Sequence, residues 1–252
     1  MKFDDVVGLL TITTVSVCAV AAIGTRWKKR VPLGLGVRHG AVSELTTGLV
    51  IGTSVMTLLS SALLAAGRGR VEHIGIDVER LGLGFLVLAV AALGEEVVYR
   101  SLLLTGLIVL VRRPVVALAL SAALFGLVHL TGSPDATAIS LLSNAMGGVM
   151  YGVAFLRTGR IWMPVGVHFA WNFVQGTLFG FPISDETAYS GAILHLRIDQ
   201  HDRWLGGGAY GPEGSILSLL ARGAIIVLIL LATRDRNPGI GRVEDREVKT
   251  ER

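Results

Sequence analysis

Apolar runs follow one another along this chain, at residues 6–24, 45–66, 81–98, 114–130, 136–156, 161–181 and 215–232, each close to the roughly 20 residues that cross a bilayer as a helix. Hydrocarbon supplies no water to satisfy peptide groups, so a chain of this kind is confined to helices packed on helices. The expected fold is all-α: a polytopic membrane protein of seven to eight transmembrane helices enclosing an intramembrane polar cavity. The count turns on residues 101–111, which are apolar but too short to cross alone and either extend the third helix or form a half-span. Composition agrees, with 52% hydrophobic and 17% charged residues and a mean hydropathy of +0.63, well above an ordinary soluble domain. The 32 glycines, set against 6% aromatics, suit helices that approach through small side chains.

The first run has a small-residue stretch, Ala19-Val20-Ala21, that resembles a signal-peptide cleavage site. Its flanks argue for a retained span, because Asp4 and Asp5 outweigh Lys2 before it and Arg26, Lys28, Lys29 and Arg30 follow it, the reverse of a secretory signal. With the N-terminus outside, every short basic loop falls on the cytoplasmic side: 26–30, Arg112 with Arg113, Arg157 with Arg160, and Arg234 with Arg236. Cell-membrane residence, with lipids as neighbours, accounts for the net charge of +4 better than nucleic-acid binding does. Cys18 is the single cysteine, so no disulfide forms within the chain. The connection 182–214 reads as an external loop or cap, and residues 233–252 as a charged, disordered cytoplasmic tail. Residues 1–232 then form one transmembrane domain. Oligomeric state leaves no signal in the sequence.

Ionisable groups inside apolar runs are costly, on the order of 3 kcal/mol each at the bilayer centre, and such groups mark function. Glu95 and Glu96 lie at the end of LGLGFLVLAVAALGEE, with Arg100 following; His129 closes the fourth run; His168 and Asn172 lie in WMPVGVHFAWNF. Residues four apart share a helix face, which pairs Glu96 with Arg100, Phe125 with His129 and His168 with Asn172. Glu95 is rotated by about 100° from Glu96, so one carboxylate can be held by Arg100 while the other is free to work. A free carboxylate beside a neutral imidazole can deprotonate water, and a second imidazole with an amide can donate to a developing oxyanion. This set of groups suits hydrolysis of an acyl bond.

Glu-Glu-x-x-x-Arg, Phe-x-x-x-His and His-x-x-x-Asn, in that order on successive apolar runs, resemble the three motifs of the CPBP intramembrane proteases, which include the type II CAAX prenyl endopeptidases and the Abi proteins. The resemblance covers about residues 81–181, including the lead-in from Arg157 to Pro164. It implies an endopeptidase acting on a hydrophobic or membrane-associated peptide, prenylated or leader-bearing, in which Glu95 activates water with help from His129. His168 and Asn172 would stabilise the oxyanion, with Glu96, Arg100 and Phe125 in support. Family members have been called metalloproteases, and zinc accepts a set such as Glu95, His129 and His168. The chain has no H-E-x-x-H helix signature, which favours water activation without a metal.

Two other classes compete with a protease: a non-catalytic immunity or scaffold protein keeping the fold, and a small transporter using the buried Glu and His residues as a proton relay. The second lacks the inverted repeat common among secondary transporters. Arg222, isolated in the last run, is expected either to pair with a carboxylate such as Glu96 or to snorkel. Asn144, Gly148 and Gly152 read as helix packing; Tyr99 and Trp171, next to motif residues, read first as aromatic packing, with lining of the substrate route as the alternative. One conflict stands out. Straight full-length spans put His129 near the outer end of its helix and His168 about two turns from the inner end of its own, too far apart to share a substrate. Either the helices tilt and break around a cavity, or the turn at 131–135 dips into the membrane.

Overall fold

The computed structural model describes residues 33–37, 40–131 and 133–236 of the protein. The first apolar run, Cys18, the basic cluster at 26–30 and the chain beyond 236 lie outside the described residues. Each of the six remaining runs is helical. Helix α1 is Ala41–Ala65. One continuous rod, Val78–Val111, comprises α2 (Val78–Glu96), a π-helical stretch (Val97–Leu104) and α3 (Thr105–Val111), so residues 101–111 extend the third run and do not cross separately. Next come α4 (Pro114–Thr131), α5 (Ala138–Thr158) and α6 (Trp162–Asn172), the last continuing into a second π-helical stretch, Phe173–Leu178. The final helix, α7, is Ile216–Ala232.

Local chemistry explains where these helices start and stop. Side chains of Asp77, Thr137 and Ser215 accept the backbone N–H three residues on, satisfying donors that the first helical turn leaves free. Thr137 and Ser140 do so reciprocally as a capping box. Gly159 ends α5 in the left-handed region at φ 68°, where a side chain would be strained. Three rods, Ala41–Ala65, Val78–Val111 and Ala138–Thr158, are long and apolar enough to cross a membrane; Pro114–His129 and Ile216–Ala232 are shorter apolar helices. Their outer faces expose Val50, Leu58, Phe85, Leu110, Leu127, Leu142 and Leu220, an arrangement that suits lipid and not water.

The fold is not purely helical, which corrects the all-α expectation. β1 (Gly69–Ile74) and β2 (Leu194–Ile198) pair antiparallel, with Arg70 opposite Arg197 and His73 opposite His195. Each strand is short and carries charged residues in a connection between helices; β2 alternates Leu194, Leu196 and Ile198 with His195 and Arg197 over only five residues, and β1 shows no such alternation. The pairing ties the long connection before α7 to the α1–α2 link.

Glycine sets the closest helix contacts. α1 and α6 run parallel, and a Cβ on Gly48 would stand 2.3 Å from the Met163 carbonyl oxygen while one on Gly166 would stand 2.4 Å from that of Leu45. α4 and α5 run antiparallel with Gly126 against Leu141 and Ala145, Gly148 against Ala122 and Gly152 against Leu118. Without a hydrophobic drive between helices in lipid, such close approach is what holds them together. Gly48→Leu is therefore expected to force α1 off α6 and to destabilise the protein by about 1–3 kcal/mol, read as a lower unfolding midpoint in detergent. Wild-type stability in this variant would contradict the packing.

The two ends of the bundle differ in charge. Glu44, fully buried at the start of α1, accepts from Arg160 at 2.9 and 2.5 Å and from Arg236 at 2.5 Å, and Arg157 donates to Thr233 at 3.0 Å. The antiparallel register of α4 on α5 brings Arg112 and Arg113 to this same end. The sheet and the connection 182–214 occupy the other end. The basic loops of the described residues thus gather at one end of the bundle.

Candidate active site

Glu95 and Glu96 form the last turn of α2, and the helical rotation between them separates their surroundings. Glu96 is fully buried, with Oε2 3.1 Å from Arg100 Nε and Oε1 2.9 Å from His168 Nδ1. Arg100 Nη2 donates to the Gly148 carbonyl at 3.2 Å, and the guanidinium carbon lies 5.0 and 5.1 Å from the ring centres of Phe125 and Tyr151. The Glu95 side chain is 36% exposed, and its Oε2 stands 3.9 Å from His168 Nε2, beyond hydrogen-bonding range. Glu96 is thus the held carboxylate and Glu95 the one facing open space. Glu96 also holds His168 as well as Arg100, a link that the i to i+4 spacing alone did not reveal.

Hydrogen bonding sets the state of each imidazole. His129 Nδ1 lies 2.8 Å from the Phe125 carbonyl oxygen, which can only accept, so Nδ1 bears hydrogen and the neutral ring presents its lone pair at Nε2. His168 Nδ1 likewise donates to the Glu96 carboxylate, so its Nε2 carries hydrogen only in the imidazolium form. Tyr151 stacks on His168 with ring centres 4.6 Å apart and planes 17° apart, fixing the ring from the side.

A cavity of 310 Å³ is lined by Glu95, His129, His168 and Asn172, the four side chains singled out as catalytic from the sequence. The conflict over depth is resolved by unequal helix ends. Asn144 and Arg222, which also line the cavity, lie six residues into α5 and α7, and His129 lies two residues before the end of α4. By contrast α2 enters 17 residues before Glu95, and the α6 rod continues to Leu178 beyond Asn172. The step left by the lower helices is filled by the connection before α7, whose Ile183, Ser184, Glu186, Tyr189 and Glu213 roof the cavity. Irregular backbone is accommodated there because protein covers it. Ser133, in the turn after α4, donates to Asp185 of this roof.

Both π-helical stretches follow motif residues directly, one after Glu96 and one after Asn172. In the first, the Thr105 N–H reaches back five residues to the Arg100 carbonyl. The widened turn re-aims side chains that a regular helix would space differently, a common feature of functional helices. The roof carries its own strain: Ser184 and Asp185 adopt φ of 47° and 71°, in the left-handed region. Burial, then the neighbouring Glu213, push the Tyr210 phenol up to about 12, so it remains a neutral hydroxyl that accepts from Asn144 at 2.6 Å and lies 3.1 Å from Ser184 Oγ, whose own hydrogen goes to the Glu213 carboxylate.

Two expectations are corrected. Arg222 neither pairs with Glu96 nor snorkels: Nη1 donates to Ser143 Oγ at 2.6 Å, Nη2 to Asn144 Oδ1 at 3.3 Å, and the guanidinium carbon lies 5.0 Å from the Trp171 ring centre. Asn144 is more than a packing residue, since it joins Arg222 to the roof through Tyr210. Tyr99 and Trp171 are not among the lining residues; Tyr99 packs edge-on against Phe125, with ring centres 4.9 Å apart. Sequence reasoning missed Tyr151, although it shares with Asn144 the face of α5 that carries Gly147 and Gly148.

Among the described residues, no group of three or more His, Cys, Asp or Glu side chains is arranged to hold a metal ion. Glu95, His129 and His168 share the cavity without forming such a group. Residues 77–174 match the family model described as Rce1-like, type II CAAX prenyl endopeptidase. This stretch contains every motif residue from Glu95 to Asn172. No curated protein and no solved structure matches the chain.

Proposed function

We propose that this protein, which through residues 77–174 belongs to the CPBP/CAAX protease family, is an intramembrane endopeptidase that hydrolyses a hydrophobic or membrane-associated peptide in the roofed cavity. The observation that carries this reading is the meeting of Glu95, His129, His168 and Asn172, from three separate rods, on one 310 Å³ cavity. A water between the Glu95 carboxylate and His129 Nε2 gives a proton to Glu95 as its oxygen attacks the scissile carbonyl carbon. The carbonyl oxygen becomes an oxyanion that accepts from Asn172 Nδ2 and from Nε2–H of His168, whose imidazolium form Glu96 supports through Nδ1. Collapse breaks the C–N bond, and Glu95 returns the proton to the leaving amine. Atoms and protons balance without a covalent enzyme intermediate.

The roof lies opposite the basic end of the bundle, so peptide enters from the extracytoplasmic half of the cell membrane. Leader-bearing and lipid-modified peptides both belong to the proposed substrate class. Comparison of membrane peptides from cells with and without the gene is expected to show new termini at one cleavage site, absent when the gene carries Glu95→Gln. An unchanged cellular phenotype in the Glu95→Gln strain, with no new termini in wild type, would instead favour an immunity or scaffold protein. Asn172→Ala is expected to lower kcat by about 10²-fold with a small change in KM, since the oxyanion exists only after attack. Equal loss in KM alone would assign Asn172 to substrate binding.

A further inference from the structure

Arg222 is 2% exposed, lines the same cavity as Glu95 and His168, and takes no part in the hydrolysis described above. A guanidinium has five N–H donors, and two are engaged here, both on neutral acceptors, Ser143 and Asn144. Nε is buried without a hydrogen-bond partner, and among the described residues no carboxylate forms an ion pair with Arg222 within 4.0 Å. Glu213, which also lines the cavity, already accepts from Ser184. Trp171 beneath the guanidinium and Gly147 beside it, where a Cβ would stand 3.3 Å from the guanidinium carbon, hold the group in place.

A buried, oriented cation of this kind is costly unless an anion completes it. The planar fork of arginine matches the two oxygens of a carboxylate. We infer that Arg222 is a substrate-binding residue that receives a carboxylate of the bound peptide, so that the cavity selects peptides carrying a carboxylate close to the scissile bond. The C-terminal carboxylate and an Asp or Glu side chain share this chemistry. The inference rests on the cavity being a peptide site, and it goes beyond that reading by naming what the cavity prefers.

The test uses the full-length protein in detergent and a fluorescent N-acylated tetrapeptide, Gly-Val-Val-Leu, in three forms: free acid, C-terminal amide, and an amide with Asp in place of the third residue. Binding is measured with Glu95→Gln protein, which keeps Arg222, and cleavage with wild type. The free acid is expected to bind at least about tenfold more tightly than the plain amide, a difference of about 1.4 kcal/mol, with Arg222→Gln bringing the two within about twofold. Recovery of tight binding by the Asp-bearing amide would assign the carboxylate to a side chain and support the same chemistry. Arg222→Lys, which keeps the charge but not the fork, is expected to retain part of the preference. Equal binding of acid and plain amide by the Glu95→Gln protein overturns the inference, whether or not Arg222→Gln folds. Cleavage without preference would leave the protease reading intact, whereas preference without cleavage would leave Arg222 intact and remove the protease.

Discussion

Glu95→Gln is expected to slow peptide hydrolysis by about 10³-fold or more and to leave the unfolding midpoint nearly unchanged. The amide has the shape of the carboxylate but cannot take a proton from water. Glu95 is the one carboxylate of its pair with open space before it, and among the described residues no ion pair with arginine restrains it. Binding of a hydrophobic peptide should persist in this variant, because removing the base acts on the transition state rather than on the ground state. Rates of cleavage measured beside thermal unfolding separate the two effects. A large fall in stability with a proportionate fall in rate would make Glu95 a structural residue.

Arg100→Met is expected to be the most destabilising of the substitutions considered, by about 3–5 kcal/mol. It would leave the Glu96 carboxylate, fully buried, with His168 as its remaining partner and would remove the donor to the Gly148 carbonyl. Removing both charges together, in Glu96→Gln with Arg100→Met, is expected to recover much of that loss, because a neutral pair of similar shape has no stranded charge. The double-mutant cycle reads the coupling directly from chemical unfolding in detergent. Activity is expected to remain low in the double variant, since His168 would lose the carboxylate that supports its imidazolium. Additive losses in the cycle would show that the two side chains do not act as a pair.

The six helical rods among the described residues were legible because runs of about 20 apolar residues admit few other structures, and each rod begins within a few residues of its run. Glu95, His129, His168 and Asn172 were legible because ionisable and amide groups stand out against apolar neighbours. Their mutual position was not. It depends on α4, α5 and α7 ending near the cavity while α2 and the α6 rod continue past it, a matter of packing between residues far apart in sequence. The roof was hidden for a similar reason: Ser184, Tyr189 and Glu213 sit in stretches of that connection outside β2 that show no periodicity, and the β1–β2 pairing and the Tyr210 network place them. The shared hold of Glu96 on Arg100 and His168 also crosses two helices, so a single-helix spacing revealed half of it. Gly48 and Gly52, which with Gly166 bring α1 against α6, carried a readable small-residue signal in GLVIG that hydropathy alone passes over.

The most direct measurement is hydrolysis in ¹⁸O water by the purified protein in liposomes, given membrane peptides extracted from cells that lack it and read by mass spectrometry. Wild-type protein is expected to release products whose new C-terminal carboxyl carries one ¹⁸O atom, and Glu95→Gln protein in the same liposomes to release none above background. Cleavage by Glu95→Gln at the wild-type rate, or the absence of any cleavage by wild type, would contradict water activation by Glu95 in this cavity.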